Sequence, residues 1–229
     1  MKKINITLYS FDDLPEDVQK QIIDQERWNI MEQCMDGFGP DYVKSLKEFE
    51  QITGTKLSNY TVGYCSYTYN FKFEYNIIYN NPTDSRKDLY AEDLSGKLLF
   101  RYINNKIMPQ LTKGKYYSTN EICHSKQRHS KIFVEYDNCP LTGDCYDSDL
   151  LTPIIDYYQS WCTYSSDYSF KDLIDECYKS LFKSWHEEYK YWADDDDAVW
   201  EELHNNQYEG RMYLADGQVF NFPTLKKAI

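Results

Sequence analysis

The acidic side chains of this chain are concentrated in one C-terminal stretch, and their placement constrains the folded surface more than any other feature of the sequence. Residues 135–209 carry nineteen acidic and four basic side chains, a net charge of −15, whereas residues 1–134 carry a net charge of +1. The same stretch contains four tryptophans. We expect these carboxylates to face outward and to form an anionic surface interspersed with aromatic rings.

This charge distribution argues against one class of function and favours another. An anionic surface repels phosphate, so we do not expect the chain to bind nucleic acid directly. The same surface is suited to a cationic partner, and a protein that itself binds nucleic acid is such a partner. The sequence therefore favours protein–protein interaction.

The spacing of apolar residues predicts a mixed α+β fold. Alternation at Ile4–Tyr9 and the dense aromatic run within 57–79 predict strands, with a turn or bulge near Gly63–Ser66, and Asp216-Gly217 predicts a C-terminal hairpin. Apolar residues at helical spacing predict helices at about 14–34, from Tyr42 to Gly54, at 89–108, at 150–158, at 169–192 and from Ala198 to Leu203. Ser169 is the predicted cap of the helix at 169–192, with Asp172 in its first turn.

We expect one α+β domain over residues 1–229, because the chain contains no linker that would divide it. The predicted architecture is an antiparallel sheet with helices packed on one side. The sheet is expected to combine the strand at 4–9, the strands within 57–79 and the C-terminal hairpin. Gly37-Phe38-Gly39-Pro40 is expected to break the helical pattern near the N-terminus.

The sequence predicts a cytoplasmic protein with no membrane partner. No apolar run has the length of a signal peptide core or of a transmembrane helix. The seven cysteines are an odd number at scattered spacing, so we expect free thiols.

The run Asp194-Asp195-Asp196-Asp197 is the most distinctive short motif. Three interpretations remain open for it: a solvated helix cap, part of an acidic recognition surface, or a metal site that lacks the spacing of an EF-hand. The predicted partner-binding residues are Asp194, Asp195, Asp196, Asp197, Glu201, Glu202, Trp192 and Trp200.

The sequence supports no enzymatic activity, cofactor or metal. The only group with the chemistry of metal ligands is Cys123, His124, His129, Cys139 and Cys145, and it lacks the paired cysteines of a structural zinc site. Glu188-Tyr189-Lys190 has the letters of a nuclease motif but falls in a predicted helix, where its side chains diverge. The motifs for phosphate loops, serine hydrolases and zinc peptidases are absent, so no catalytic residue is predicted.

Residues 97–131 form a basic segment, in contrast to the acidic stretch 135–209. They contain eight Lys or Arg residues and one Glu. They are expected either to pair with the acidic region of the same molecule or to bind phosphate.

Two stretches carry a resemblance to known proteins. Phe11-Asp12-Asp13-Leu14, between a predicted strand and a helix, resembles the opening of a group of small phage and prophage proteins. Cys139-Pro140-Leu141-Thr142-Gly143, followed by an acidic helix and a terminal hairpin near 210–222, is similar to the rest of that group. The resemblance implies a phage setting and no catalytic residues. By analogy, it suggests an inhibitor of the anti-CRISPR or anti-restriction type.

Three functions follow from these expectations. The first is a non-enzymatic phage inhibitor that binds a host nucleic-acid-binding defence protein, such as a CRISPR effector or a restriction enzyme, by mimicking nucleic acid. The second is a metal-dependent hydrolase or a nucleotide-signal sponge that uses the basic segment 97–131. The third is a phage accessory or structural protein.

Overall fold

The computed structural model describes residues 6–74, 90–111, 139–204, 208 and 210–220, together with the backbone of two short strands at 117–119 and 126–128. These residues group into two compact units. One, which we name the terminal unit, combines residues 1–37 with 188–229, and the other, the inner unit, comprises residues 38–187. The single domain predicted for residues 1–229 stays a prediction.

The first helix, α1, extends from Glu16 to Thr53 and contains Pro40. The predicted break at Gly37–Pro40 was therefore wrong. Proline inside a helix removes one backbone hydrogen bond and costs about 3 kcal/mol, but apolar packing continues on both sides, since Met35 and Tyr42 are both buried. The sequence signal still has a structural counterpart, because the boundary between the two units falls after Gly37.

Two antiparallel strands follow α1 and form the sheet of the inner unit. β1 is Thr55–Val62 and β2 is Tyr67–Phe73, and they pair from Thr55↔Phe73 to Val62↔Tyr67 with an irregularity between Leu57 and Asn59. This pairing confirms the two strands and the turn expected within residues 57–79. Two further short strands, β3 at Tyr117–Thr119 and β4 at Lys126–Arg128, pair antiparallel with each other.

The sheet packs one face on a long helix, α5, which extends from Phe170 to Asp194. The ring of Tyr69 stacks 5.1 Å from that of Phe182, and the rings of Phe71 and Tyr178 lie 5.2 Å apart. The predicted arrangement, an α+β fold with helices on one side of an antiparallel sheet, is confirmed in this unit. The tyrosine-rich run supplies the contact because each ring presents a large apolar face.

The start of α5 was predicted from its capping residue. The Ser169 hydroxyl accepts a hydrogen bond from the Asp172 amide at 3.2 Å, and an Asp172 carboxylate oxygen accepts one from the Ser169 amide at 2.9 Å. This reciprocal pair satisfies two of the backbone donors that every helix leaves free at its N-terminus.

Further helices of the inner unit bury the remaining apolar residues. A 3₁₀ turn at Ala91–Asp93 leads into α2 at Gly96–Tyr102, which continues through a π-helical segment at Ile103–Ile107 into α3 at Met108–Leu111. α4 extends from Tyr146 to Ser160, and a 3₁₀ turn follows at Trp161–Thr163. The buried apolar residues of these helices are Ala91, Leu99, Tyr102, Ile103, Ile107, Met108, Leu111, Leu150, Leu151, Ile154 and Tyr157. Leu94, between the first turn and α2, is buried as well.

The stretch Leu141-Thr142-Gly143 is held by one buried carboxylate at the start of α4. Oδ2 of Asp147 accepts hydrogen bonds from the amides of Leu141, Thr142 and Gly143 at 2.9, 2.6 and 3.2 Å. Its Oδ1 accepts from the hydroxyls of Ser45 and Thr142 at 2.8 and 2.9 Å. Asp147 is fully buried, and these five donors offset the cost of burying its charge. This stretch therefore has a structural role.

The terminal unit has its own core, to which both ends of the chain contribute. The short helix α6, Asp196–Leu203, packs Val199 and Leu203 against α1, and Tyr9 pairs with Tyr213 through two backbone hydrogen bonds of 2.9 Å. The core residues are Phe11, Leu14, Ile22, Ile23, Ile30, Val199, Leu203, Tyr208 and Tyr213.

The predicted C-terminal hairpin forms around Asp216-Gly217. Tyr213 bridges Val219, and the amide of Leu214 donates to the carbonyl of Gln218 at 2.9 Å. Gly217 has φ +83°, a conformation that glycine adopts without strain. One part of the sheet prediction was wrong: in the described chain, Tyr9 and this hairpin bridge each other and do not extend the β1–β2 sheet.

Candidate functional site: the acidic face of the terminal unit

The four consecutive aspartates lie at the junction of α5 and α6 and have different roles. Asp195 is the N-cap of α6, and its carboxylate accepts hydrogen bonds from the amides of Asp197 and Ala198 at 2.9 and 3.2 Å. The remaining charges lie in the last turn of α5 or the first turn of α6. The positive end of the α6 dipole favours the carboxylates in its first turn. For Asp195, the cap interpretation is confirmed.

Asp196 forms an ion pair with Arg27 inside the terminal unit. The guanidinium of Arg27, on α1, donates to the carbonyl oxygen of Ala193 at 2.9 Å through Nη1. Its Nη2 contacts a carboxylate oxygen of Asp196 and lies 3.5 Å from one of Asp24. Only 13% of the Arg27 side chain is exposed. Arg27 thus binds a carbonyl at the C-terminal end of α5 and a carboxylate at the N-terminal end of α6, and it fixes the junction that carries the four aspartates.

Asp194, Asp196, Asp197 and Glu201 are exposed, whereas Asp195 and Glu202 are partly buried. We name the exposed carboxylates of Asp194, Asp197 and Glu201 the acidic face of the terminal unit. Glu202 lies near Cys34, where burial, then the charge of Glu202 and then that of Glu188 raise the pKa of the thiol to about 11. The predicted acidic residues are therefore divided between an outward group and a group that faces the unit's own side chains.

The two predicted tryptophans also differ. Trp192 is partly buried and packs against the core of the terminal unit. Trp200 exposes 42% of its surface, and its ring lies 4.0 Å from that of His204. Trp200 is therefore the one of the two that offers an apolar surface to a partner. Trp28 on α1 and Tyr191 on α5 are also exposed, at 49% and 47%.

The terminal unit brings the C-terminal carboxylates together with a second set from α1. Its described residues, 6–37, 188–204, 208 and 210–220, carry sixteen acidic and four basic side chains. The sequence analysis missed the acidic residues near the N-terminus because the net charge over residues 1–134 is close to zero. A shorter window would have found it, since residues 12–36 carry eight acidic and two basic side chains.

Both arginines of this acidic unit have internal partners. Arg27 contacts Asp24 and Asp196, as described above. Arg211 places its guanidinium carbon 4.0 Å from the centre of the Tyr208 ring, and its Nη1 lies 3.8 Å from Glu26. Within the described part of the unit, the two lysines, Lys20 and Lys190, are exposed. Acidic side chains therefore outnumber basic ones four to one among the unit's described residues.

Other candidate residues lie partly outside the described chain. Cys123, His124 and His129 fall outside it, whereas Cys139 and Cys145 lie within it. Within the described ranges, no group of three or more His, Cys, Asp or Glu side chains is placed to hold a metal ion. Glu188-Tyr189-Lys190 lies in α5, as expected. No helix within these ranges combines the length and apolarity needed to span a membrane.

The basic segment 97–131 is described in part. The side chains of Lys97, Arg101 and Lys106 are exposed, while Lys113, Lys115 and Lys131, and the side chains of Lys126 and Arg128, lie outside the described residues. Its predicted pairing with the acidic region therefore stays a prediction.

Searches with this chain gave no match to a family model, to a curated protein or to a solved structure.

Proposed function

We propose that this chain is a phage-encoded, non-enzymatic inhibitor that binds a host nucleic-acid-binding defence protein, a CRISPR effector or a restriction enzyme, through the acidic face of the terminal unit. The observation that carries the proposal is the excess of sixteen acidic over four basic side chains among that unit's described residues, with both arginines engaged internally. The phage setting comes from the resemblance of the Phe11–Leu14 and Leu141–Gly143 stretches.

The charge excess supports a nucleic-acid-binding partner for an electrostatic reason. A protein that binds DNA or RNA lines its channel with Lys and Arg, which attract carboxylates as they attract phosphates. Such complementarity accelerates encounter and selects the partner more than it adds affinity. The exposed carboxylates of Asp194, Asp197 and Glu201 would steer the two proteins together.

Exposed aromatic side chains would supply the buried part of the contact. Tryptophan and tyrosine dominate the residues whose truncation weakens interfaces most. Trp200 lies one residue before Glu201 and exposes nearly half of its surface. It could be buried in a partner while neighbouring carboxylates meet cations at the rim.

The test compares two variants that each remove two charges. Asp197→Asn with Glu201→Gln removes exposed carboxylates of the acidic face and leaves the Asp195 cap and the Arg27–Asp196 pair in place. Asp93→Asn with Asp156→Asn removes two exposed carboxylates from the inner unit. Association with purified CRISPR effectors and restriction enzymes, and inhibition of their DNA cleavage, would be measured at several salt concentrations.

If the acidic face binds the defence protein, the first variant should associate several-fold more slowly at low salt and show a weaker salt dependence, whereas the second should behave as the wild type. Equal loss in both variants would mean that net charge, and not this face, governs binding. Absence of inhibition with every enzyme tested would contradict the proposed function.

A second pair of variants tests the aromatic contact. Trp200→Ala should increase the dissociation rate and weaken binding by about 2 kcal/mol or more, as expected for a central aromatic contact. Tyr90→Ala removes a similarly exposed ring, 44% accessible, from the inner unit. Unchanged dissociation of Trp200→Ala would exclude this side chain from the interface.

A further inference from the structure

The inner unit contains an open polar cavity of about 520 Å³. Its walls come from the C-terminal end of α1, the start of β1, the residue after β2 and the helical segment α2–α3. The volume lies within the range of about 300–1,000 Å³ that is common for small-molecule sites. The cavity lies entirely within residues 38–187, so it is independent of the acidic face.

Three lysines line this cavity, in a chain whose net charge is −12. Lys47 comes from α1, Lys56 from β1 and Lys106 from the π-helical segment. Lys106 lies fifty residues after Lys56 in the sequence. Lys106 belongs to the basic segment 97–131, for which phosphate binding was one of the two expectations.

The two carboxylates that line the cavity already have partners. Oε1 of Glu74 lies 3.3 Å from Nζ of Lys56. Oε1 of Glu50 accepts a hydrogen bond from the amide of Leu57 at 2.7 Å. Among the described residues, Lys47 and Lys106 have no ion pair, so two ammonium groups remain available for an anion.

The other lining residues provide hydrogen-bonding groups and rigidity. The amides of Gln51 and Gln110 offer donors and acceptors at the rim, and Nε2 of Gln110 donates to the carbonyl of Lys106 at 2.9 Å. Tyr102 is almost fully buried beside them. The π-helical segment at Ile103–Ile107 is a rare conformation that is frequently found at functional sites.

We propose that this cavity binds a small phosphate-bearing molecule through the ammonium groups of Lys47 and Lys106. Lysine is a common phosphate ligand because its ammonium group is a compact charge with three donors. The cavity is open to solvent, so a hydrated polyanion can enter it without losing all of its water. The site would act as a receptor for the ligand, with no reaction implied.

The experiment measures binding by calorimetry and by thermal shift with three probes: inorganic pyrophosphate, ATP and adenosine. Pyrophosphate and ATP should bind, with affinity that falls as salt increases, and adenosine should not, because it lacks phosphate. Tighter binding of ATP than of pyrophosphate would identify the ligand as a nucleotide. Equal binding would leave the phosphate group as the recognised part.

Matched variants locate the site. Lys47→Gln with Lys106→Gln should weaken binding at least tenfold. Lys97→Gln with Arg101→Gln removes two exposed cations from α2, in the same basic segment but outside the cavity, and should leave affinity unchanged. In the wild type, the NMR amide signals of Gln51 and Gly54 should shift on addition of pyrophosphate, whereas that of Gly217 in the terminal unit should not.

Three results would contradict this site. The first is no binding of pyrophosphate or ATP at millimolar concentration. The others are an equal loss of affinity in both double variants, and NMR amide shifts at residues away from the cavity. None of these results bears on inhibition of a defence protein by the acidic face, so the two proposals can fail separately.

Discussion

His204 and Asp12 form an ion pair across the terminal unit, with Nε2 of the imidazole 2.8 Å from Oδ1 of the carboxylate. The other ring nitrogen, Nδ1, lies 2.7 Å from the carbonyl oxygen of Trp200. Both partners are hydrogen-bond acceptors, and both ring nitrogens can donate only in the protonated imidazole. Burial lowers the pKa of His204, but the hydrogen bonds to Trp200 and Asp12 and the charge of Asp12 together raise it above its ordinary value of 6.5.

The raised pKa of His204 predicts a pH dependence of stability. The pair's contribution is fully present below the unfolded-state pKa of about 6.5 and is lost as pH rises through the higher folded-state pKa. The free energy of unfolding should therefore fall as pH rises above about 6.5, by no more than about 1 kcal/mol because the pair is partly exposed. Urea denaturation at a series of pH values measures it.

Asp12→Asn should remove most of this pH dependence. Asp13→Asn is the matched control, because Asp13 contacts Ser10 and not His204. If both variants keep the slope of the wild type, the ion pair does not form in solution.

Loss of the Arg27 side chain should destabilise the junction of α5 and α6. Arg27→Ala should lower the free energy of unfolding by about 1.5–3 kcal/mol, because it removes hydrogen bonds to a charged group and leaves the carbonyl of Ala193 without its donor. Lys20→Ala, an exposed lysine on the same helix, should change it by less than about 0.5 kcal/mol. Equal effects in chemical denaturation would contradict the bridging role of Arg27.

Substitutions of Asp147 should lower the free energy of unfolding of the inner unit by different amounts. Asp147→Ala leaves three backbone amides without an acceptor and should cost about 3 kcal/mol or more. Asp147→Asn keeps one oxygen toward those amides and should cost less. Asp156→Ala, an exposed aspartate on the same helix, should have little effect. A small cost for Asp147→Ala, measured by urea denaturation, would mean that this turn is not held by the carboxylate.

A comparison of Gly217 with Gly210 distinguishes the effect of backbone strain from that of steric clash. Both residues have φ +83°, so the backbone strain of a substitution should be the same at the two sites. Alanine at either site should lower the free energy of unfolding by about 1–2 kcal/mol, because a residue with a Cβ is strained in the left-handed conformation. A Cβ at Gly217 would also lie 2.9 Å from Cγ1 of Val18, whereas one at Gly210 would meet no atom within 4 Å. Gly217→Ala should therefore be the more destabilising in thermal denaturation, and Val18→Ala should relieve part of the difference. Equal costs would place the hairpin away from α1.

Local signals in the sequence predicted much of the fold. The Ser169 cap, the aromatic strands around the turn at Gly63–Ser66, and the Asp216-Gly217 hairpin each depend on neighbouring residues, so propensity and periodicity were sufficient. The α+β class was confirmed for the same reason. Pro40 was misjudged because the apolar contacts that continue α1 past it come from distant parts of the chain.

The candidate site was predictable only in part. The consecutive aspartates were visible in the sequence, but Arg27 and Asp196 are 169 residues apart, and no local pattern brings them together. The same is true of the grouping of the two acidic sets in one unit and of Lys106 lining the same cavity as Lys47 and Lys56. These contacts are set by tertiary packing, which one sequence does not display.

The core of the terminal unit joins residues 9–34 to residues 192–219, which has a consequence for synthesis on the ribosome. Its first part emerges early and cannot complete its packing until nearly two hundred further residues have been translated. Chains form distant contacts late because closing a long loop costs entropy before any contact compensates it. The apolar residues of α1 that join this core therefore stay exposed on the nascent chain until residues 192–219 have been made.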